Sequence, residues 1–483
     1  MMTKLSTKNI PANSGGVFPG KWGGLNVLTG GGSPAIMGTD STIRPVSFHA
    51  WSMRALDPRF PLMTEVYRMG DAIRQAGGNP LLVGGWVRDC LLENPHSKDF
   101  DLEVFGLAPE RLQPVLARFG PVHTVGRHFG VLKVTTPEAE YDVSVPRRES
   151  KIGKGHKHFK VEPDPTMTFE EAAARRDFTI NAMGYDFLHG QLLDPHGGLA
   201  DLEQGVLRHV GPSFGEDPLR VLRAMQFAAR FGFTIPEETL AICREQDLAE
   251  LPRERLWEEF RKMLLRAPVP SRGLAYADAL GILPHFPELA ALAAGGTGPQ
   301  TPWGQTLAVV DRAAERRTQD PHQDIQLMLA ALCHRMGPGM EEFLGRLTQE
   351  AALVKSVAAL AADIHTPVRL YEHQDRTDPD IRRLALRVSI PFLLRLASAL
   401  GQGPDNVGAG AWLEEQARRL EVWDGPPKPL LQGRHLLALG MKPGRAMGSL
   451  VEEMYQLQLD GQIATHKQAV AAAKEKLIGR EEP

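Results

Sequence analysis

The spacing of apolar residues changes once along this chain, from a strand-like pattern to a helical one. Short apolar runs broken by turn residues stand at 81–83, 100–105, 131–135 and 141–145. Runs of this length predict strands, and helical stretches between them predict a mixed sheet. After about Gly211, long segments rich in Leu, Ala and Arg predict helices instead, for example at 218–231, 253–265 and 307–317. The predicted fold class is therefore α+β, with a sheet domain first and an all-α remainder after it.

Breaks in this pattern predict the domain boundaries. Residues 1–60 carry nine glycines between Gly15 and Gly38 and little apolar periodicity, which predicts a disordered extension; Met53 is a candidate translation start. A first helix is predicted from an N-cap at Thr64 to the Gly77-Gly78 pair. The sheet domain is then 61–210. Changes of pattern and breaks rich in Pro and Gly divide the helical part into 211–270, 271–424 and 425–483.

Composition, cysteine positions and net charge indicate which classes of protein this chain can belong to. The chain has 483 residues, 42% of them hydrophobic and 23% charged, as in soluble globular proteins, and no apolar run approaches the roughly 18 residues of a membrane span. Cys90, Cys243 and Cys333 stand far apart, which argues against a disulfide framework or a paired-thiolate zinc site and favours the cytoplasm. The net charge of -3 argues against indiscriminate nucleic-acid binding, so any nucleic-acid partner must meet a local basic surface.

The first candidate site is a two-glycine turn between a predicted strand and a predicted helix, at 81–92. Glycines without Cβ let a phosphate approach the backbone, and Arg88 in the first helical turn adds positive charge. Gly85 and Arg88 are therefore candidate nucleotide-binding residues. The alternative is an ordinary turn with a surface Arg88–Asp89 ion pair.

A second candidate lies in the predicted strand 99–105, where acidic and apolar residues alternate. Asp99 and Asp101 fall on one face, about 6.5 Å apart along the strand. Two carboxylates on one face are suitable ligands for a pair of Mg²⁺ ions, so both are candidate catalytic and metal-binding residues. Asp142 is a candidate third carboxylate from a neighbouring strand. The alternative is an amphipathic strand with a solvated acidic face.

Basic residues cluster in the segment 147–160, which has six Lys or Arg residues against one acid, counting along the printed sequence. We interpret it as a mobile, phosphate-facing loop, with Arg147, Arg148 and Lys154 as candidate RNA-binding residues. A solvated surface loop is the alternative.

Another motif opens the first long predicted helix. Asp217, Arg220 and Arg223 recur every three residues along one side of it. Taken alone, this spacing is also explained by ion pairs between an N-terminal acid and arginines one turn later.

Taken in order, these stretches resemble the class II tRNA nucleotidyltransferases and the related bacterial poly(A) polymerases, a branch of the polymerase-β-like nucleotidyltransferases. The likeness covers about 81–265. Its motifs are Gly-Gly-x-Val-Arg-Asp at 84–89, Asp-x-Asp at 99–101, Arg-Arg-Asp-x-Thr-x-Asn at 175–181, Glu-Asp-x-x-Arg-x-x-Arg at 216–223 and Glu-Arg-x-x-x-Glu at 254–259. The resemblance implies a polymerase-β-like catalytic head at 61–210, followed by a helical neck, body and tail.

The resemblance also implies roles for single residues. Asp99 and Asp101 would bind Mg²⁺ and align a tRNA 3′-hydroxyl with the α-phosphate of CTP or ATP, releasing pyrophosphate. The residues implied to bind the nucleotide are Gly85, Arg88, Arg176, Asp217, Arg220 and Arg223. Among these, Asp217 would accept a hydrogen bond from the exocyclic amine of C or A, and Arg220 would donate to a ring nitrogen.

The chain departs from its relatives in two places. Gln226 stands where many relatives carry another Arg, which puts one phosphate contact in doubt. In the body, Gln305 and Arg335 replace the first His and the Asp of an HD phosphohydrolase motif, leaving His334 without its companion ligands. We therefore predict no phosphatase activity from this region.

The last part of the chain resembles the family's small tail domain, which meets the tRNA body. The stretch 428–445 holds four basic residues and no acid, counting along the printed sequence, and Lys442 and Arg445 are candidate RNA-binding residues. A helical cap with basic loops is the alternative.

The leading function is addition of CCA to tRNA from CTP and ATP, with the tRNA 3′ end as partner and neither membrane nor DNA expected. The segment 147–160 is present, which disfavours a CC-only enzyme, because such members have a shortened loop before the Arg-Arg-Asp motif. Addition of A alone or of a poly(A) tail remains open. A catalytically inactive tRNA-binding paralogue and a protein-modifying nucleotidyltransferase are alternatives from other classes.

Overall fold

The structure is a computed structural model, and it describes residues 61–92, 99–125, 131–137, 139–151, 159–373, 378–401 and 404–478. The predictions for the N-terminal extension and for a start at Met53 lie outside these residues.

A seven-stranded mixed sheet forms the first part of the fold, in the order β3-β4-β5-β2-β1-β8-β9. Only β2 and β5 pair in parallel; the other neighbours in this sheet are antiparallel. The strands of the sheet are β1 (Asn79–Val83), β2 (Asp99–Phe105), β3 (Val122–Val125), β4 (Val131–Thr135), β5 (Glu140–Ser144), β8 (Gly184–Asp186) and β9 (Gln191–Leu193).

Alternation along the central strands separates the two faces of the sheet. Phe100 and Leu102 on β2 are almost fully buried, as predicted, and so are Tyr141 and Val143 on β5. Because successive side chains of a strand point to opposite faces, the polar residues between them share the other face. One face carries the main core. On the other face, the acidic residues of β2 lie beside a small apolar cluster that includes Leu81, Val83 and Phe105.

The predicted basic loop at 147–160 is wrong in part, because both of its arms are strands. Arg147–Lys151 (β6) pairs antiparallel with Phe159–Pro163 (β7) as a separate two-stranded ribbon. A ladder of backbone hydrogen bonds does not depend on apolar side chains, which is why a polar segment can form it. The tip at 152–158, with Lys154, lies outside the described residues.

The sheet domain also contains helices: α1 (Pro61–Gln75), α2 (Gly85–Leu91), α3 (Pro109–Leu116), α4 (Phe169–Ala173) and α5 (Gly198–Gln204). Helix α1 begins at Pro61, three residues before the predicted N-cap at Thr64. Proline is well tolerated in the first helical turn, and Met63 and Val66 bury the apolar side of this helix.

The described residues after 211 form helices and the connections between them, as predicted. The longer helices are α6 (Leu219–Phe231), α7 (Glu237–Arg244), α8 (Arg253–Arg266), α9 (Pro270–Leu274), α10 (Pro287–Ala293), α11 (Pro302–Ala314), α12 (Pro321–Cys333), α13 (Met340–Leu347), α14 (Ala351–Asp363), α15 (Thr366–Glu372), α16 (Asp378–Arg387), α17 (Ile390–Ala397), α18 (Pro404–Arg419), α19 (Gly433–Ala438), α20 (Arg445–Leu459) and α21 (His466–Ile478).

Two apolar cores hold most of these elements together. One runs without interruption from the sheet domain through the helices to Val422. A second, smaller core forms within the C-terminal helices around Leu436, Leu450 and Met454. The four predicted domain boundaries stay predictions, although the second core falls within the predicted tail.

One helical stretch, Ala351–Glu372, is long and apolar enough to span a membrane by length and composition, with a mean hydropathy of 1.2. A search for uninterrupted apolar runs misses it, since it contains Lys355 and Asp363. Leu353, Val357 and Leu360 on this stretch pack inside the helical core, and we interpret it as a core helix.

Candidate functional site

Asp101 and Asp142 lie side by side on the polar face of the sheet. They are register partners in the parallel pair β2–β5, where neighbouring strands are about 4.8 Å apart. Asp101 is exposed and Asp142 is partly exposed. Asp99, two residues before Asp101, begins the same strand and is the register partner of Glu140; its side chain is outside the described part. The third carboxylate suggested by the sequence is therefore next to the second.

Lys133 is a neighbour of this carboxylate pair that the sequence reasoning missed. It is the register partner of Asp142 on β4, and its Nζ lies 4.0 Å from Asp142 Oδ1 and 2.8 Å from Glu140 Oε2. The alternation of β4, with Leu132 and Val134 buried, was the available signal. Lys133 places a positive charge beside the acidic face.

The first glycine of the two-glycine turn is required by its surroundings. Gly84 has a φ of 72°, a conformation that residues with a Cβ rarely adopt. A Cβ at this position would lie 2.8 Å from Arg176 Nη1 and 3.7 Å from Asp101 Oδ2. The absence of a side chain at Gly84 therefore lets the guanidinium of Arg176 approach the backbone of the turn closely, next to the carboxylate of Asp101.

Arg176 is tethered beside the carboxylates by Glu103, a residue not singled out from the sequence. Its Nη2 donates to Glu103 Oε2 at 3.1 Å, and its Nη1 donates to the Asn181 carbonyl at 3.4 Å. Glu103 continues the alternation of Asp99 and Asp101 on β2, which was the signal for it. Arg176 thus places a positive charge beside the candidate metal-binding carboxylates.

Arg88 lies beneath this cleft and has its partners inside the protein. It is 3% exposed, donates to Asp89 Oδ1 at 2.7 and 2.8 Å, and donates to Asn181 Oδ1 at 2.5 Å. Its guanidinium also stacks over Phe231, 4.7 Å from the ring centre. A direct phosphate contact of Arg88 stays a prediction. In the structure this side chain braces the turn at Gly85, where a Cβ would lie 3.4 Å from Arg88 Nη2.

Arg223 joins the sheet domain to the helical part. It donates to Asp177 Oδ2 through Nε at 2.7 Å, and its Nη2 lies 2.6 Å from the same oxygen. Burial raises the pKa of Asp177, but the charge of Arg223 and hydrogen bonds from Asn181, Arg223 and Phe178 N–H outweigh it, so the pKa is lowered. The nucleotide-binding role of Arg223 stays a prediction, because the structure shows it as an internal tie.

The two predicted base-reading residues stand together at the start of α6. Arg220 Nη1 donates to the Ser213 carbonyl at 2.7 Å, and its Nη2 donates to the Arg175 carbonyl at 2.6 Å. Burial lowers the pKa of Arg220 despite nearby acids. Asp217 pairs with Arg255 on α8, not with an arginine one turn along its own helix. The local ion-pair explanation of this motif is therefore wrong for Asp217.

Gln226 is buried in α6, with 1% of its surface exposed. Its Nε2 has no hydrogen-bond partner among the described residues. A side chain at this depth does not line an open cleft. The Gln that stands where many relatives carry Arg therefore affects the packing around α6 and not the surface that a nucleotide would contact.

The predicted RNA-binding residues lie in two places. Arg147 and Arg148 begin the ribbon at β6, and Arg148 binds Asp164, which raises the pKa of Arg148 mainly through that hydrogen bond. Lys442 and Arg445 are exposed at and just before the start of α20. Their roles in binding RNA stay predictions.

The residues suit a divalent cation by chemistry. The adjacent carboxylates of Asp101 and Asp142 offer the hard oxygen ligands that Mg²⁺ prefers, with Asp99 on the same strand. Among the described side chains, which do not include that of Asp99, no group of three or more His, Cys, Asp or Glu stands close enough to hold a metal ion.

The degenerate HD region has a different character. His334 Nδ1 contacts the Ala331 carbonyl at 2.8 Å, and the His365 ring lies 6.5 Å away. Burial, with smaller contributions from Arg335 and His365, lowers the pKa of His334 to about 4. Gln305 contacts the Gln300 carbonyl at 3.5 Å. The positions of the lost ligands are thus occupied by an amide and a guanidinium.

Family models match two parts of the chain. Residues 81–208 match the model described as the poly A polymerase head domain. This range of the chain contains the carboxylates and the Gly84 turn. Residues 232–292 match the model described as the probable RNA and SrmB-binding site of polymerase A.

Curated relatives extend this likeness. The multifunctional CCA protein of Stenotrophomonas maltophilia (strain K279a) is 41% identical over 309 residues, which is 61% of this chain and 72% of the relative. The multifunctional CCA protein of Nitrosospira multiformis is 38% identical over 298 residues, 59% of this chain and 69% of the relative.

Solved structures share the fold. The CCA-adding enzyme of Bacillus stearothermophilus in complex with CTP superposes with a TM-score of 0.65 at 22% identity, covering 87% of this chain and 99% of that one. The Thermotoga maritima enzyme complexed with tRNA has a TM-score of 0.58 at 20% identity, covering 88% and 98%. The sheet domain and the helices after it therefore follow one known architecture.

Proposed function

The chain belongs to the class II CCA-adding enzyme family, and from this premise we propose that it adds the 3′-terminal CCA to tRNA from CTP and ATP without a nucleic-acid template. The observation that carries the proposal is the register of Asp101 and Asp142 beside the Gly84 turn and the guanidinium of Arg176. In this proposal the enzyme depends on Mg²⁺, releases pyrophosphate and works in the cytoplasm.

Each residue of the cleft has a part in nucleotide transfer. Asp99 and Asp101, supported by Asp142, would hold the cation. The chemistry that bound Mg²⁺ supplies is polarisation of the α-phosphate and activation of the attacking 3′-hydroxyl. Arg176, which Glu103 holds beside the Gly84 turn and Asp101, would neutralise the charge of the phosphates.

Base selection falls to the start of α6. The carboxylate of Asp217 accepts from the exocyclic amine of cytosine or adenine, and the guanidinium of Arg220 donates to a ring nitrogen. Uracil presents a carbonyl and an N–H at the same edge, so acceptor meets acceptor and donor meets donor. Such buried mismatches cost about 1–3 kcal/mol each, which is enough to reject UTP without a template.

A second candidate function is addition of the terminal A alone, or of a poly(A) tail. The poly A polymerase description of the matched head model favours it. It uses the same carboxylates and the same cleft, and it differs in the nucleotides accepted.

One experiment separates the two functions. The protein is incubated with tRNA ending at the discriminator base, first with CTP alone and then with CTP and ATP, and product length is followed together with pyrophosphate release. CCA addition requires two C residues in the first reaction and a terminal A in the second. Absence of C incorporation, with A added to tRNA ending in CC, would support the second candidate. Chelation followed by added Mg²⁺ tests the metal dependence.

A further inference from the structure

Helix α8 contacts the functional start of α6 through two ion pairs. Arg255 Nη2 donates to Asp217 Oδ2 at 2.8 Å, and Glu259 Oε1 lies 3.9 Å from Arg223 Nη1. Arg255 and Glu259 are four residues apart and so lie on one side of α8. This side of α8 therefore backs the base-reading motif, although the nucleotide roles proposed above do not involve it.

Both oxygens of the Asp217 carboxylate are held in the structure. Oδ1 accepts from the Leu219 N–H at 3.1 Å, which ties it to the first turn of α6. Oδ2 accepts from Arg255. The Asp217 carbonyl also accepts from Arg220 N–H at 3.0 Å. With the main chain and one oxygen already fixed by α6, Arg255 is the group that sets the remaining rotation of the carboxylate.

We propose that Arg255 is a specificity-determining positioning residue, which holds the Asp217 carboxylate in the orientation that accepts from the amine of cytosine and adenine. The inference rests on the proposed function, because it requires that Asp217 reads the base. Each carboxylate oxygen has two acceptor positions, so the bond from Arg255 leaves acceptor positions for the base.

The exposure of this pair argues against a purely structural role. The side chains of Arg255 and Asp217 are 42% and 33% exposed. Ion pairs of that exposure contribute little to stability. The Asp177–Arg223 pair next to it has a carboxylate that is only 9% exposed, and it is the one suited to hold the helices together. What Arg255 contributes is orientation.

The test compares two arginines of the same helix. Arg255→Ala removes the bond to Asp217, and Arg261→Ala is the matched control, because Arg261 is also 42% exposed and pairs with its helical neighbour Glu258 at 3.7 Å. Arg255→Lys keeps the charge and loses the planar fork of donors. The full-length protein is used throughout. The readouts are kcat and KM for CTP, ATP and UTP, the Kd for tRNA, and the thermal unfolding midpoint.

We expect Arg255→Ala to lower the preference for CTP over UTP in kcat/KM by about tenfold, the effect of one well-placed hydrogen bond. The KM for CTP and for ATP should rise, while the Kd for tRNA and the unfolding midpoint stay within error of the parent. Arg255→Lys should recover part of the preference, and Arg261→Ala should keep all of it.

Two results would overturn the inference. One is an unchanged preference in Arg255→Ala while Asp217→Asn abolishes it, which would show that Asp217 reads the base without this partner. The other is an equal loss in Arg255→Ala and Arg261→Ala, which would indicate general charge removal. If Arg255→Ala does not fold, Arg255→Lys decides by the same ratio. Failure of the parent to incorporate either nucleotide would instead contradict the proposed function.

Discussion

Asp101 on β2 and Asp142 on β5 are register partners in the only parallel strand pair of the described sheet. Their side chains share one face, with Lys133 opposite Asp142 on the next strand and the Gly84 turn close to the Asp101 carboxylate. Residues distant in sequence are thus assembled into one acidic patch by strand pairing alone.

Removal of either carboxylate should separate activity from stability. Asp101→Asn should lower kcat by at least about 100-fold, because a metal site supplies several kcal/mol of charge stabilisation and about 1.4 kcal/mol corresponds to a factor of ten. Asp142→Asn should cost less, since we place Asp142 in support of the other two. Single-turnover C addition and thermal unfolding are the measurements. Glu110→Gln on α3 is the control, and wild-type kcat in Asp101→Asn would refute the assignment.

Gly84→Ala should lose activity for a steric reason. Its Cβ would lie 2.8 Å from Arg176 Nη1 and would push this guanidinium away from the space proposed for the phosphates. The backbone conformation of Gly84, with a φ of 72° and a ψ of -136°, adds a strain of about 1–3 kcal/mol for alanine. Gly77→Ala is a matched control, because Gly77 has a φ of 96° and a Cβ added there would have nothing within 4 Å among the described residues. Both variants should unfold more easily, but only Gly84→Ala should lose nucleotide transfer. Equal activity in the two would contradict the role of this space.

The Asp177–Arg223 pair should be a major contributor to stability. Asp177→Asn leaves the charge of Arg223 without its main partner, which for a buried pair costs about 3–5 kcal/mol. Chemical denaturation at pH 7 measures this. Asp378→Asn is the control, since the Asp378–Arg419 pair is 42% and 51% exposed and should cost less than about 1 kcal/mol. Equal costs would show that burial does not distinguish the pairs.

The same pair predicts a pH dependence. The pKa of Asp177 is lowered in the folded state, so its contribution is fully present above the unfolded value of about 3.9 and is lost as the pH falls through the folded pKa. The difference in unfolding free energy between the parent and Asp177→Asn should therefore be constant near neutrality and shrink below about pH 4. A difference that grows on acidification would have the wrong sign.

His334 should titrate far below an ordinary histidine. Burial lowers its pKa to about 4, so the unfolded chain binds more protons between that value and about 6.5. Its contribution to stability is therefore lost as the pH falls through this window. His334→Gln should flatten the pH dependence of unfolding there, and the NMR titration of the His334 ring should have its midpoint near pH 4.

Metal-dependent phosphohydrolysis that survives Asp99→Asn and Asp101→Asn would contradict the predicted absence of HD activity.

Lys442 and Arg445 should act on tRNA and not on nucleotides. Changing both to Ala should weaken tRNA binding and reduce the slope of log affinity against log salt by up to about 2, roughly one per phosphate contact. The KM for CTP should not change. Lys467→Ala with Lys474→Ala, two exposed lysines of α21, is the matched control. Unchanged affinity in the first pair would remove these residues from the RNA-binding surface.

The sequence predicted those elements whose burial pattern is strong. The alternation in 99–105 and 141–145 corresponds to β2 and β5, and the apolar spacing after residue 211 corresponds to helices. Strands of only three residues, such as β8 and β9, were missed, and a polar segment that forms strands was taken for a loop at 147–160. The pattern of polar and apolar side chains does not indicate where backbone hydrogen bonds pair two strands.

The site was predicted as far as its motifs reached. Asp101, Asp142 and Arg176 do lie close together, whereas the partners that hold them were not found. The alternation of β2 and β4 was the available signal for Glu103 and Lys133, but Arg255 pairs with Asp217 across 38 positions, which spacing does not indicate. The interior roles of Arg88 and Arg223 depend on which way each side chain packs, which spacing alone does not determine.

The parallel pairing of β2 and β5 has a consequence for how this enzyme tolerates mutation. Shifting either strand by one residue would turn Phe100 or Tyr141 to solvent and bury the carboxylates. A register that misplaces the two carboxylates is therefore unfavourable for folding. Insertions and deletions within these strands should therefore prevent folding, and the loss of activity would follow from the loss of the folded state. Substitutions that keep the alternation preserve the pairing of the two strands, so a loss of activity in such a variant reflects the chemistry of the new side chain and not a change of register.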